Sequence, residues 1–314
     1  MDTIIMAPVK AYNPETDIPD LSGKVIFITG GTAGLGRSTI AYLAQHNPAA
    51  IHFSGRNGIA GHNLITELLK TAPGVVVKFY QCDQTSLASV EEAAHAFLKS
   101  GVSRLDVLVC NAGVMGGPPN LTKDGYEIQF GINYLSHALL TKLFTPILQA
   151  TASAHGEARL VNLTSAGYAM HNSGVSFADL KTTQESMGML GMKQWARYGQ
   201  SKFAQVLYTG EYAKRYPDIT AVAIHPGVVH TNLVEGLPLR DRIFIKMMTM
   251  GQAVQLEEGA WNTCWAATAR KEEGVKSGEI YWPVGVPKEK TKAAGDEGLW
   301  RELWEWTERE LGAY

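Results

Sequence analysis

Cysteine is scarce in this chain. Its 314 residues include three, Cys82, Cys110 and Cys264. The count is odd and no two stand as C-x-x-C, which argues against a disulfide or a metal site. Two of them lie in apolar runs that read as strand ends, so buried small hydrophobes are expected. An excess of one charge is also missing. Lys and Arg total 28 against 30 Asp and Glu, for a net charge of -2. No strong field points to nucleic acid or to anionic lipid. No run approaches the roughly 18 apolar residues of a membrane span. Residues 1–20 carry Pro8, Pro14 and Pro19 among Asp2, Glu15 and Asp17, without the basic start and apolar stretch of a signal peptide. There is no internal repeat, no low-complexity tract and no His or Cys spacing that resembles a metal site. A cytoplasmic protein in a reducing compartment is expected.

What the chain does have is alternation. Short apolar runs at 25–29, 51–54, 75–82, 105–110, 160–164, 220–225 and 279–282 read as strands. Amphipathic stretches at 35–45, 61–71, 86–99, 124–150, 197–216 and 257–269 read as helices. Strands alternating with helices imply βαβ units, hence an α/β fold: a doubly wound, Rossmann-type parallel sheet with helices on both faces. Residues 1–20 are then an extension and 21–314 a single domain. Ligands bind such sheets beyond the carboxyl ends of the strands.

The first strand ends in Thr29-Gly30-Gly31-Thr32-Ala33-Gly34-Leu35-Gly36. Gly30 and Gly34 allow a sharp turn and close approach to a phosphate, and Gly36 lets the next helix pack on the sheet. The helix start offers free N–H groups and a positive dipole end to a pyrophosphate. The second strand ends Ser54-Gly55-Arg56-Asn57, with no acid for a ribose hydroxyl. Arg56 suits a 2′-phosphate, so NADP(H) is the expected cofactor, with further contacts open to Thr32 and Arg37.

Tyr198 and Lys202 stand four residues apart, on one face of a helix. An ammonium beside a phenol lowers its pKa toward the range useful for acid–base work. That spacing alone also fits a Tyr packed under a solvated Lys. Its company is more specific. T-G-x-x-x-G-x-G, Asn111-Ala112-Gly113, Asn133, Ser165, Y-x-x-x-K and His225-Pro226-Gly227 with Thr231 occur in order, from about residue 21 to 285. Together they resemble the short-chain dehydrogenase/reductase family, in its single-domain branch. Phe177-Ala178-Asp179-Leu180 resembles the retinol-dehydrogenase-like subgroup and related fungal or plant reductases.

The resemblance implies roles. Tyr198 exchanges a proton with the carbonyl oxygen. Lys202 lowers the Tyr198 pKa and holds the nicotinamide ribose. Ser165 holds the substrate oxygen, although Thr164 offers a second hydroxyl. Asn133 helps hold a proton-relay water near Lys202. Asp83 meets the adenine. Gly30, Thr32, Gly34, Leu35, Gly36, Asn111, Ala112, Gly113, Pro226, Gly227, Val228 and Thr231 line the cofactor. The implied activity is hydride transfer between NADP(H) and a carbonyl or alcohol. A non-catalytic NADP-binding regulator is the alternative, and its hallmark, a missing tetrad residue, is absent.

Substrate choice is expected in two segments. One, between Ser165 and Tyr198, carries Met187, Met189, Leu190 and Met192, either as core contacts or as an apolar wall. The other, a lid at about 231–256, carries Ile243, Phe244, Ile245, Met247, Met248 and Met250. A bulky apolar substrate is expected. Membrane docking is disfavoured, because basic residues there are limited to Arg240, Arg242 and Lys246. Tyr168, His171 and Trp195 are pocket candidates with packing as the default. The tail, with Trp300, Leu303, Trp304, Trp306 and Leu311, reads as an amphipathic helix docked on the body. The family often forms homodimers through the helices carrying Asn133 and Tyr198, a surface the long segment before Tyr198 could cover.

Overall fold

The fold comes from a computed structural model. It describes residues 12–189, 191–229 and 253–314, together with Arg242. The strands are β1 (Val25–Thr29), β2 (Ala50–Gly55), β3 (Val76–Gln81), β4 (Val107–Cys110), β5 (Ala158–Leu163), β6 (Ile219–Ile224), β7 (Val228–Val229), β8 (Ala253–Val254), β9 (Ile280–Tyr281) and β10 (Pro287–Lys288). The helices are α1 (Pro14–Asp17), α2 (Gly34–Ala44), α3 (Gly58–Thr71), α4 (Leu87–Leu98), α5 (Ile128–Phe130), α6 (Ser136–His155), α7 (Lys193–Arg215), α8 (Leu256–Thr268) and α9 (Glu297–Glu310).

One sheet runs β3-β2-β1-β4-β5-β6-β9-β10, parallel except for β10. The chain steps outward from β1 to β3, then returns to the far side of β1 as β4. That reversal leaves a crevice beyond Thr29 and Cys110, where such sheets bind ligands. Strands β1, β2, β4 and β5 are buried at every residue, whereas the edge strand β3 is largely open to solvent. Phe27, Leu108, Leu160 and Ala221 face α4, α6, α7 and α9. Their neighbours Ile26, Ile28, Val109 and Val222 face α2, α3 and α8. Successive strand residues point to opposite faces, so the same strands feed both cores.

Two elements differ from expectation. Helix was expected throughout 124–150. Instead Gly125 takes a left-handed φ of 82° and Leu121 bridges to Glu127. Helix begins at α5, where the Glu127 side chain caps Phe130 N at 2.7 Å, and a π-helical turn, Gly131–Leu135, joins α5 to α6. The expected last strand at 279–282 is shorter, and β10 adds an antiparallel edge beyond it.

The tail forms α9 and docks on the body as expected. Trp304 stacks on Tyr208 with ring centroids 5.1 Å apart, and Trp306 meets Phe130 at 5.8 Å and Phe177 at 5.5 Å. Gly210 makes room, since a Cβ there would lie 2.8 Å from the Trp300 ring. The outer surface of α7 and of the π turn is thus covered mainly by the chain's own tail, with Phe177 of the segment before Tyr198 joining it. A homodimer through that surface would require α9 to move away.

The three cysteines are free and buried, as expected. Among the described residues no helix is long and apolar enough to cross a membrane, and no His, Cys, Asp and Glu group could hold a metal. Strands β7 and β8 pair in parallel, so the chain departs at Val229 and returns beside it at Ala253. The body of the expected lid, with its Ile, Phe and Met residues and Thr231, lies outside the described residues, as do Leu190 and residues 1–11.

Candidate active site

The glycine turn connects β1 to α2 at the crevice. Gly30 and Gly34 have φ of 67° and 55°, the left-handed region glycine adopts without strain. Gly36 is required by close approach, because a Cβ there would sit 2.5 Å from Gly30 O and 2.6 Å from Asn111 Nδ2. Gly36→Ala is therefore expected to cost about 1–3 kcal/mol, as overpacking against backbone does, and to lower the thermal midpoint measured by circular dichroism. Ala33, at the cap position of α2, makes no side-chain cap. The amides of Gly34, Leu35 and Gly36 have no protein acceptor among the described residues. A Cβ on Gly34 would meet nothing within 4 Å. Open space beside unbonded amides at a helix start fits a pyrophosphate.

Thr32 packs against the end of β2, where a Cβ on Gly55 would lie 2.7 Å from its Cγ2. Arg56, next along, is exposed, and its guanidinium has no protein partner among the described residues. Arg37 instead pairs with Glu67 on the surface. The side chain of Leu35 packs toward α8, close to Gly259, so it faces the site only through its amide. At the end of β3 the carboxylate of Asp83 accepts from Thr85 N and Oγ1 at 3.0 and 2.8 Å and pairs with Lys123 at 2.9 Å.

After β4, Asn111 turns inward. Its Nδ2 donates to Thr29 O at 2.7 Å, and its own amide and that of Ala112 donate to Thr29 Oγ1 at 2.9 and 3.0 Å. Its side chain therefore staples the glycine turn to the end of β4. Ala112 lies directly against Gly30, and Gly113 sits over Asn133 Oδ1 and Lys202 Nζ.

Helix α7 carries Tyr198 and Lys202. Ser165, just past β5, caps a short 3-10 turn, Ala166–Met170, by accepting from Gly167 N at 3.3 Å. Ser165 lies beside Tyr198, since an added Cβ on Gly167 would be 3.7 Å from Ser165 Oγ and 3.4 Å from Tyr198 Cδ1. Gly199 lets the turn lie against α7, since a Cβ there would come 2.9 Å from Gly167 O. Thr164 is buried and donates to Lys202 O at 2.9 Å, so of the two hydroxyls Ser165 is the one beside the phenol.

Lys202 Nζ is buried. It donates to Leu163 O at 2.8 Å and to Gln205 Oε1 at 3.0 Å, and lies 5.9 Å from the centre of the Tyr198 ring. Burial lowers its pKa to about 7. Burial also pushes the Tyr198 phenol up, with only Ser165 opposing. The expected lowering of Tyr198 by Lys202 is thus not present in the protein alone: desolvation weakens both charged forms.

Asn133 sits inside the π turn. Its Oδ1 accepts from Val114 N at 2.7 Å, and its Nδ2 donates to Val114 O at 3.0 Å and Ser201 Oγ at 2.9 Å. The side chain is a brace between the loop after β4 and α7. The main-chain carbonyl of Asn133 lies 2.9 Å from His137 Nδ1.

Pro226 and Gly227 follow β6, Gly227 with φ of 89°, and Val228 begins β7. The other pocket candidates pack: Tyr168 and Trp195 are buried, and His171 bonds Gly174 O and contacts Phe203 at 5.4 Å. Met189 is 79% exposed, so it forms no closed apolar wall. Sequence reasoning passed over Gln205, His137 and Gln84. The available signal was helical spacing, one turn after Lys202 for Gln205 and one turn after Asn133 for His137.

Three buried histidines give the fold a pH signature. Burial lowers His52, His137 and His225 to about 4, below the usual value near 6.5. Between these values the unfolded chain binds the more protons, so stability is lost as pH falls through that window. The thermal midpoint is expected to be flat above pH 7 as far as these groups are concerned and to drop steadily from pH 6.5 to 4.

The family model for short chain dehydrogenases matches residues 24–177. An uncharacterised oxidoreductase of Schizosaccharomyces pombe is 33% identical over 299 residues, spanning 93% of this chain and 86% of the relative. Human polyprenol dehydrogenase is 31% identical over 271 residues, spanning 85% of this chain and 79% of the relative. A solved structure of an uncharacterised protein from Mycobacterium paratuberculosis superposes with a TM-score of 0.71 at 27% identity, over 94% of this chain and 96% of that one. Likeness at this level across nearly the whole length, on the sheet order and crevice already described, places the chain in the short-chain dehydrogenase/reductase family of oxidoreductases.

Proposed function

We propose that this oxidoreductase transfers hydride between NADP(H) and the carbonyl or alcohol carbon of a bulky apolar small molecule, with Tyr198 as the proton donor and acceptor. The carrying observation is Tyr198 beside Ser165, where an added Cβ on Gly167 would lie 3.5 Å from Tyr198 Cε1 and 3.7 Å from Ser165 Oγ, with the Lys202 ammonium 5.9 Å from the ring centre. When bound, NADPH supplies the hydride. The protein's residues do the rest. Ser165 and Tyr198 offer two hydroxyls to one substrate oxygen, which orients the carbonyl and draws charge onto that oxygen as hydride arrives. Tyr198 then passes its proton to the same oxygen. Lys202, about 7 in pKa, stands ready to share protons near neutrality. Asn133 keeps the loop after β4 and α7 in register.

NADP(H) is favoured over NAD(H) by Arg56 at the end of β2, where a guanidinium meets a 2′-phosphate and a carboxylate would repel one. The fold leaves this choice open, since chains sharing it are described with NADP and with NAD. The bulky apolar substrate is supported by the Met-rich sequence at 243–250 and by the activity named for the human relative, polyprenol dehydrogenase. The testing experiment is NADPH oxidation against a panel of terpenoid, lipid and aromatic ketones and aldehydes. Turnover of the larger apolar members is expected. Tight NADPH binding with no turnover across the panel would favour the non-catalytic regulator instead.

A further inference from the structure

We propose that His137 is a positioning residue, which ties the main-chain carbonyl of Asn133 to the hydroxyl of Thr29 and so aligns the proton-relay side of the site with the cofactor turn. The inference rests on the hydride-transfer reading above.

Three contacts define the ring. Its Nδ1 lies 2.9 Å from Asn133 O, and its Nε2 lies 2.8 Å from Thr29 Oγ1 and 2.9 Å from Gln84 Nε2. A carbonyl can only accept, so Nδ1 carries the proton. In a neutral ring Nε2 is then the acceptor, for the Thr29 hydroxyl and the Gln84 amide. Burial keeps the ring neutral near pH 7, with its pKa at about 4.

Thr29, having given its proton to His137, is left to accept, and it does so from the amides of Asn111 and Ala112. Thr29 Oγ1 also lies 3.4 Å from Val109 O, and its shorter contact, to His137, gives the series one direction. Amide protons of the loop after β4 point to Thr29, Thr29 points to His137, and His137 points to the carbonyl of Asn133. One end of the series touches the strand that opens the glycine turn. The other touches the main-chain carbonyl of Asn133, the residue expected beside the relay water. Gln84 is itself anchored to Ser136 Oγ at 3.2 Å, so the ring is held from two sides. The ring is 2% exposed, and no substrate could reach it. Its action is through Asn133.

The test compares His137→Leu, His137→Asn and His137→Gln with the unmutated protein. Readouts are NADPH affinity by fluorescence, and kcat and solvent deuterium isotope effect on a ketone the unmutated protein reduces. Nitrogen NMR of the imidazole gives an additional readout. The unmutated ring should show a protonated Nδ1 and an unprotonated Nε2 at pH 7. His137→Leu should lower kcat about tenfold, the kinetic equivalent of one hydrogen bond, and raise the isotope effect, with NADPH still bound. His137→Asn places an amide near Nδ1 and should recover most of kcat. His137→Gln reaches only toward Nε2 and should not.

A purely structural role would lower the melting temperature equally in all three variants without moving the isotope effect, and that result overturns the proposal. So does a ring protonated at Nε2. If Leu prevents folding, the contrast between Asn and Gln still decides. Absence of NADPH turnover in the unmutated protein overturns the hydride-transfer reading and this role together. Normal turnover that His137→Leu leaves unchanged overturns this role alone.

Discussion

Tyr198→Phe is expected to lower kcat for carbonyl reduction by about 10²–10⁴-fold, the range by which a positioned acid accelerates proton transfer, while NADPH affinity stays within about twofold. The ring would keep its packing beside Gly167, whose added Cβ would lie 3.4 Å from Tyr198 Cδ1. Only the hydroxyl is lost, on the side of the ring that faces Ser165. Steady-state kinetics with a fluorescence titration of NADPH separates the two effects. Activity near that of the unmutated protein would refute the proton-transfer role. The direction of the Tyr198 shift adds a second expectation. Burial raises the phenol, so the neutral acid is the form held at pH 7, which suits reduction. Oxidation needs the phenolate, so alcohol oxidation should climb as pH rises into the alkaline range while carbonyl reduction does not.

Arg56→Ala is expected to weaken NADPH binding by about tenfold and leave NADH binding nearly unchanged. Charge-assisted hydrogen bonds to a phosphate contribute about 1.5–3 kcal/mol, and solvent around this exposed side chain trims that toward the lower end. Added salt should narrow the gap between the two cofactors in the unmutated protein for the same reason. Isothermal titration with each cofactor at two salt concentrations measures both effects. Equal loss for NADPH and NADH would show that Arg56 supports the turn in general and reads no 2′-phosphate.

The residues most legible in the sequence were those whose chemistry follows from local geometry. Gly30, Gly34 and Gly36 had to be glycine for reasons of turn and packing, and the structure gives them those conformations and contacts. Strands β1 and β4 were legible because burial on both faces makes near-continuous apolar runs. The partners of the Asn111 and Asn133 side chains were not legible in the sequence. Both spend their amides on backbone far away in sequence, Thr29 and Val114, and nothing local announces such partners. The start of the helix before Asn133 was missed because apolar spacing continues through Gly125 while the backbone there turns left-handed. The Lys202 effect on Tyr198 was misjudged because a spacing of four shows proximity, whereas the direction of a pKa depends on how much water the fold removes.

The tail also has an optical consequence. Trp300, Trp304 and Trp306 are three of the chain's seven tryptophans, and all lie on α9. Trp304 stacks on Tyr208 and lies beneath the Arg215 guanidinium at 4.7 Å, surroundings that any loosening of α9 would change. Strands β1 to β6 contain no tryptophan. Three of the seven indoles thus report on the attachment of the tail, while far-ultraviolet dichroism follows the helices and sheet as a whole, so the two signals together can distinguish a chain that has shed its last helix from one that has melted.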